Sequence, residues 1–428
     1  MSLATIATVT APPPIPPIRT REDLIDALGR AAEIEHAIMC QYLYAAFSLD
    51  LGAPGLGPID GEIVRGFAIN LLRIARQEME HLGLVSNLLV AIGAPPNFDR
   101  PNLPLPPFYY QLDLPLALLP FGDRFLALAE QLERPCDEPE PHVHALYPSV
   151  AAIYERLRDG FVTLGAAGAP TAATLFLGGA APQLGNVDFG AAPGQVWYDL
   201  TLFAVTDLAS ALAAIDLIRV QGEGATPTLM AAHGVDTSSH HARVLLMRAQ
   251  WTALSDDARA AALRPVPANP LSYHHGDVDP DASCCVFRDP EAVALAALGT
   301  RTYELVLLLL TRLYGGSDAT AADRAMYLGI AFFPLMTTVV RPLGEMLVQL
   351  PAGDGVHAAA FTFELDGPIR AYRDRASFHL QLGERFRFLA TGFAALAAKP
   401  KVPPRLAFVA QNVAYIRDRV LAYAEANP

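Results

Sequence analysis

Glu35 lies in an apolar stretch, and further along the chain Glu78-Met79-Glu80-His81 forms a Glu-x-x-His pair. At about 100° per residue, helical positions three apart stand about 60° apart, so Glu78 and His81 can reach one ion from one helix face. Such pairs, completed by single glutamates from neighbouring helices, build the dinuclear carboxylate sites of helical bundles. A Glu-x-x-His alone also occurs on solvated faces. What favours metal here is that Glu35 and Glu78 fall on or beside apolar stripes, where an unpaired carboxylate is costly and a cation offsets the cost. Tyr42 follows Glu35 by two helical turns, on the same face and about 10 Å along the axis. Its phenol is placed to stand beside the ligands, which makes it the candidate catalytic side chain. Glu33 and Glu80 project about 160° away from the candidate ligands and are expected in solvent. His36, about 100° round from Glu35, is expected at the edge of the packed face rather than on the ion.

The elements that must position these residues read as helices. Glu22 to Asp50 carries Leu24, Ala27, Leu28, Ala31, Ile34, Ala37 and Ile38 at three- and four-residue steps. A Gly/Pro loop separates it from a second long helix, Ile59 to Ile92, stopped by Gly93 and Pro95-Pro96. A short link between two long helices predicts an antiparallel hairpin. Asp99 to Pro120 is too rich in proline for a helix and reads as an extended crossover. Helices are expected again at Tyr147 to Leu164 and Leu200 to Gln221, and the pattern resumes at Ser239-His240-His241. Pro265 to Pro280, rich in Pro, Asn, Gly and Asp, is the best domain boundary. Beyond it Ala292–Tyr314, Ala321–Leu350, Ser377–Ala398 and Arg405–Ala426 are helical by period. The organisation expected is a Pro-rich arm over 1–19, a bundle over 20–264 and a mostly helical region over 281–428.

These residues carry a resemblance. Glu35-His36-Ala37-Ile38-Met39-Cys40-Gln41-Tyr42-Leu43-Tyr44-Ala45, then Gln77-Glu78-Met79-Glu80-His81-Leu82, Asn87-Leu88-Leu89 and Ile92-Gly93-Ala94-Pro95 resemble the ferritin-like domain of the iminophenylpyruvate dimer synthase type. That domain occurs in bacterial bisindole-biosynthesis proteins of the violacein and rebeccamycin pathways and in shorter stand-alone proteins. The first two helices are also similar to bacterioferritin. Tyr154-Glu155 is similar to the family's third-helix segment, and Ile218 to Gly224 with Ser239-His240 to its fourth. The resemblance covers roughly residues 20 to 250. It implies an all-α fold, a ferritin-like four-helix bundle with long loops, and two metal ions, iron before manganese. By the same resemblance Glu35 and Glu155 are terminal carboxylates, Glu78 and Glu223 bridges, and His81 and His240 nitrogen ligands, with His241 and His233 as the fallback nitrogens. The chain departs from the pattern at the fourth helix, where Gly224 and Pro227 intervene between Glu223 and His240. The function implied is an oxidoreductase acting on a small amino-acid-derived metabolite, with oxidative imine coupling in secondary metabolism in view. A metal-free bundle serving as a scaffold or partner-binding subunit is the alternative, and a single-metal zinc hydrolase a third reading.

The composition of the 428 residues narrows the field. Lys+Arg 31 against Asp+Glu 44 gives a net charge of −13, which argues against nucleic acid as a partner. Hydrophobic residues make up 52% and charged residues 18%, enough for a large core. Apolar runs are short or interrupted, as at Leu305–Leu310, Leu328–Val340 with Pro334, and Thr201–Val220 with Asp207 and Asp216, so no membrane span is expected. The start of the chain has no basic segment ahead of an apolar core, and a cytoplasmic location is expected. A small-molecule substrate is the expected partner, and a homo-oligomer is compatible with the family. Cys40, Cys136, Cys284 and Cys285 are too scattered for a disulfide scaffold, and Cys284-Cys285 reads as a partly buried thiol pair. His142, His144 and the pair His274-His275 sit in polar loop sequence and read as surface. Glycine-rich runs at Gly178-Gly179 and Gly315-Gly316 lack the spacing of a phosphate loop.

Overall fold

A computed structural model describes residues 15–135, 146–190, 200–222, 239–273, 284–315 and 318–427. The first helix, α1 (Arg21–Phe47), starts where Thr20 accepts a hydrogen bond from the Asp23 amide and the Asp23 carboxylate accepts one from the Thr20 amide. Two orphan donors are thereby satisfied reciprocally. Proline at the first position opens α2 (Pro58–Ala91), where its missing N–H costs nothing. These two helices pack along their length, as the short Gly/Pro link predicts.

The crossover over 99–120 is non-helical, as expected, and leads into α3 (Asp123–Leu132), a helix the sequence reading passes over. Next come α4 (Val150–Gly165) and α5 (Leu208–Gly222), which pack on each other; α4 also packs on α1, and α5 on α2, closing a four-helix bundle. α6 (His240–Ala253) lies across α3, α2 and α5. It is fixed by Arg243 Nη1 donating to Asn70 of α2 at 2.7 Å and Trp251 Nε1 donating to Asp123 of α3 at 3.0 Å.

The fourth bundle helix begins eight residues later than Leu200 because the backbone before it is satisfied otherwise. Asn186 bonds the Leu200 carbonyl and the Leu202 amide, Asn87 the Phe203 carbonyl, and Gln183 both polar groups of Val205. Buried amide side chains thus replace the helical ladder. Asp207 then accepts from the Ser210 amide at 2.8 Å and starts α5.

A short helix, α7 (Asp256–Ala261), and a two-residue parallel pair, β1 (Pro270–Leu271) with β2 (Cys285–Val286), lead to the C-terminal helices. These are α8 (Pro290–Gly315), α9 (Ala321–Leu347, with two π-helical stretches), α10 (Arg375–Ala397) and α11 (Leu406–Ala426). α10 and α11 form a tight hairpin against which α8 and α9 pack. α8 and α9 are long and apolar enough to cross a membrane, contrary to the run-length reading. Their most apolar windows are 72% and 50% buried in the protein, as core helices are. Nearly all the buried apolar side chains among the described residues form one connected cluster, from Ile18 to Val420.

Candidate metal centre

Three carboxylates and two imidazoles converge inside the bundle. Glu35 comes from α1, Glu78 and His81 from α2, Glu133 from the C-terminal cap of α3, and His240 is the first residue of α6. All five are buried. His240 owes its place to Ser239, whose hydroxyl accepts from the Ala242 amide at 3.1 Å and caps the helix.

Glu78 stands in the middle. Its Oε2 is 3.1 Å from His81 Nδ1 and its Oε1 is 2.9 Å from His240 Nδ1. Glu35 Oε2 lies 3.5 Å from His81 Nδ1, and Glu133 Oε2 lies 3.6 Å from His240 Nδ1. Two trios result, Glu35–Glu78–His81 and Glu78–Glu133–His240, which share Glu78. The two rings are near-parallel, with centroids 5.4 Å apart. Each terminal carboxylate is held by a phenol: Tyr154 of α4 donates to Glu35, and Tyr42 of α1 donates to Glu133 at 2.7 Å.

The donor set fits a pair of metal ions. His81 Nε2 is 2.8 Å from the Gln221 amide oxygen, and His240 Nε2 is 3.2 Å from that of Gln77. A side-chain amide oxygen only accepts, so both Nε2 atoms carry hydrogen; in the neutral rings this leaves both Nδ1 lone pairs facing the carboxylates. That orientation of an imidazole by its outer nitrogen is what a metal-ligating histidine shows. His240 Nδ1, although 2.9 Å from Glu78, makes no hydrogen bond of acceptable geometry. With the ring neutral, two acceptors face each other there, and either a proton on Nδ1 or a metal ion can join them.

Electrostatics show what joins these groups in the absence of a metal. Burial, and then the Glu78 charge, push the Glu35 carboxyl up to about 8. Burial opposes ionisation of Glu78 too, but His81 and His240 outweigh it and hold the carboxyl well below its usual range. Burial disfavours charge on His240, yet Glu78 and Glu133 raise it to about 9; His81 is raised in the same way, by Glu78 and Glu35. Protons therefore occupy this cluster when no metal does. Burial foremost, and then the facing carboxylates, keep the Tyr42 and Tyr154 phenols well above their ordinary value, so both remain donors.

A narrow cavity of about 30 Å³ borders the cluster, lined among others by Ile38, Leu132, Tyr154, Ile218 and Arg219. It has room for a water molecule or two.

Of the six ligands expected from sequence, Glu35, Glu78, His81 and His240 come together, with Tyr42 beside them through Glu133. Glu155 does not join them. Its carboxylate, 43% exposed, pairs with Arg219 at 2.7 Å. The next residue on a helix is turned by about 100°, and it is Tyr154 that faces inward. Glu223 and His233 lie outside the described residues, as do Cys136, His142, His144, His274 and His275. His241 is partly exposed and stands apart from both trios.

Three further expectations are corrected. Glu80 is buried, not solvated: α2 is covered on that side too, Gln221 Nε2 donates to it at 3.3 Å, and burial pushes its carboxyl up to about 7. Glu33 is half-buried, accepting from Asn97 and Tyr110. His36 is fully buried rather than at an edge, its Nε2 bonded to the Tyr303 hydroxyl of α8. Glu133 is the residue the sequence reading misses. Phe125, Leu126, Ala129 and Leu132, all buried on α3, give the three- and four-residue spacing that would have shown the helix delivering it.

Comparison with known proteins bears on this geometry. The ferritin-like family model matches residues 28–248. Dichlorochromopyrrolate synthase of Lentzea aerocolonigenes is 33% identical over 450 aligned positions, 93% of this chain and 41% of that protein. The 2-imino-3-(indol-3-yl)propanoate dimerase of Chromobacterium violaceum is 31% identical over 402 positions, 86% of this chain and 37% of that protein. The chain thus spans about two fifths of the length of these curated relatives. A ferritin-like protein of Caulobacter vibrioides superposes with a TM-score of 0.47 at 18% identity, over 81% of this chain and 99% of that one.

Proposed function

The chain belongs to the ferritin-like family, and from that premise we propose that it is an oxidoreductase built on a dinuclear metal centre, iron before manganese. Glu35, Glu78, His81, Glu133 and His240 would hold the two ions, with Glu78 shared between them; Glu223 is the candidate for a second shared carboxylate. When bound, such a pair supplies one-electron redox steps at a charge-neutralised, open coordination position. The observation that carries the proposal is the placement of two imidazole Nδ1 atoms, 3.1 and 2.9 Å from opposite oxygens of one buried glutamate.

The chain's own residues supply the rest. Tyr154 and Tyr42 fix the two terminal carboxylates, and Gln221 and Gln77 fix the two rings. Ile38, Leu132 and Ile218 give the cavity apolar walls. At its rim, Arg219 is placed to exchange Glu155 for the carboxylate of a substrate. The relatives' names, a propanoate imine dimerase and a chromopyrrolate synthase, support a small amino-acid-derived imino acid as that substrate. The reaction proposed is oxidative joining of two such molecules, one C–H bond broken on each and one bond formed between them, the two electrons and two protons passing to a peroxide that leaves as two waters, in secondary metabolism in the cytoplasm.

Mass spectrometry of protein purified after iron loading tests the centre directly. Two ions per chain are expected, with both lost in Glu78→Ala. A wild-type chain that retains no metal would leave only a bundle serving as a scaffold.

A further inference from the structure

A second group of metal-ligand side chains stands apart from the bundle site and shares no residue with it. Cys285 of β2, Asp354 and His357 bring a thiol sulfur, a carboxylate oxygen and an imidazole nitrogen within 4.8 Å of one another. The Cys285 thiol is 3.7 Å from Asp354 Oδ2, and His357 Nδ1 is 2.6 Å from the same oxygen.

The cluster is held from both sides. β2 is fixed when Cys285 N–H donates to the Asn269 carbonyl and Phe287 N–H to that of Leu271. The loop carrying Asp354 and His357 is pressed against the chain after β2. Arg288 N–H donates to the Ala352 carbonyl at 2.7 Å, and a Cβ on Gly353, at φ +91°, would stand 2.5 Å from the Asp289 nitrogen. Only glycine allows that approach. Asp354 Oδ1 is occupied by the Val356 and His357 amides, at 2.9 and 2.8 Å. Its Oδ2 is thereby aimed at the thiol and the ring, which is how outer contacts orient a metal-ligating carboxylate.

We propose that Cys285, Asp354 and His357 form a mononuclear site for a thiophilic divalent cation, zinc foremost. Thiolate, imidazole and carboxylate together suit zinc, and three protein ligands leave a fourth position for water. Zinc bonds of about 2.0 to 2.3 Å set tetrahedral ligand atoms roughly 3.3 to 3.6 Å apart. The sulfur–oxygen spacing of 3.7 Å is within about 0.2 Å of this range. The His357–Asp354 pair opens by under about 1 Å as the shared proton leaves. With half-exposed ligands, an ion enters from solvent without passing through the core. The site lies at a joint: Ala358 N–H donates to the Pro265 carbonyl, and Tyr44 of α1 bonds the Pro267 carbonyl. An ion here ties the C-terminal loop to the segment that rests on the bundle.

Cobalt titration of the full-length chain, stripped of metal and kept reduced, tests this. A sulfur-to-cobalt charge-transfer band is expected, abolished by competing zinc. It should be retained in Cys284→Ser and in Glu78→Ala, which lacks the central carboxylate of the bundle site. In Cys285→Ser the band should vanish, and in His357→Ala affinity should fall by more than the roughly 10–100-fold seen when an outer contact is removed. Absence of the band in the wild type, or its survival in Cys285→Ser, overturns the site. A readout without variants is the alkylation rate of Cys285 in the wild-type chain, followed by peptide mass spectrometry. Zinc should slow it about tenfold or more, and an unchanged rate also overturns the proposal.

Discussion

At the scale of single residues, the bundle site depends on which of two adjacent side chains faces inward. Tyr154 reaches Glu35 while Glu155 turns to Arg219. Glu133→Ala is therefore expected to cost one of the two ions, whereas Glu155→Ala keeps both; metal counts in the two variants decide it, and the reverse result would restore Glu155 as a ligand. The protonation of the cluster gives a second prediction. Glu35 in the fold titrates near 8 against 4.5 for the free side chain, and His240 near 9 against 6.5. Both bind protons more tightly when folded, so their contribution to stability is complete below the unfolded values and is lost as pH rises through 8 and 9. Metal-stripped protein should thus have a lower denaturation midpoint at pH 9 than at pH 6, and metal should flatten the difference. Equal midpoints in the stripped protein would mean that some other charge compensates the carboxylates. Glu78 and His81 are legible in the sequence as a pair because positions three apart share a helix face, and Glu35 because it falls among apolar neighbours on its own helix. Glu80 and Glu33 were misjudged because period says which way a side chain points, not what covers it.

At the scale of elements, helix starts set the site. His240 is the first residue of α6, so its ring is only as well placed as the turn that Ser239 caps. Ser239→Ala should destabilise the protein by about 1 kcal/mol and weaken binding of the ion that His240 would share with Glu133. A competition titration reads the second effect, and unaltered affinity would show that the helix start is held by packing against α3 instead. The long helices were readable because each repeats its apolar step many times. α3 is ten residues long and follows a proline-dense run that masks its start. The late start of α5 was hidden for another reason. The residues before it are apolar enough for a helix, but Asn87, Gln183 and Asn186 take their backbone groups into an extended path. Such tertiary override leaves no trace in local periodicity.

At the scale of the whole molecule, the bundle and the C-terminal helices share a buried seam. The Asn102 side chain pairs with both polar groups of Leu365, and Arg100 donates to Phe363, each across 263 residues of sequence. Tyr303 of α8 bonds His36 of α1 and lies 3.2 Å from the Cys40 thiol. No sequence pattern announces contacts so distant, whereas the helices they join are plain from their period. The C-terminal helices are gathered in turn by Asp323 of α9, which is buried. It takes two hydrogen bonds from Arg375 of α10, at 2.8 and 3.1 Å, one from Tyr423 of α11 at 2.9 Å, and one from the Thr320 hydroxyl. Burial opposes its ionisation, but Arg375 and Thr320 outweigh it and hold the carboxyl well below its usual range. A depressed carboxylate contributes stability that is present above the unfolded value of about 4 and is lost as pH falls below it. Asp323→Ala removes that contribution and takes two hydrogen bonds from Arg375. The cost expected is about 2 to 4 kcal/mol, less than for a fully enclosed pair because Arg375 still reaches solvent. Because the seam is continuous with the core, helix content and bound metal should be lost in the same thermal transition, shifted downward together. If the C-terminal helices melted first while metal stayed in place, the seam would be a contact between independent units rather than part of one core.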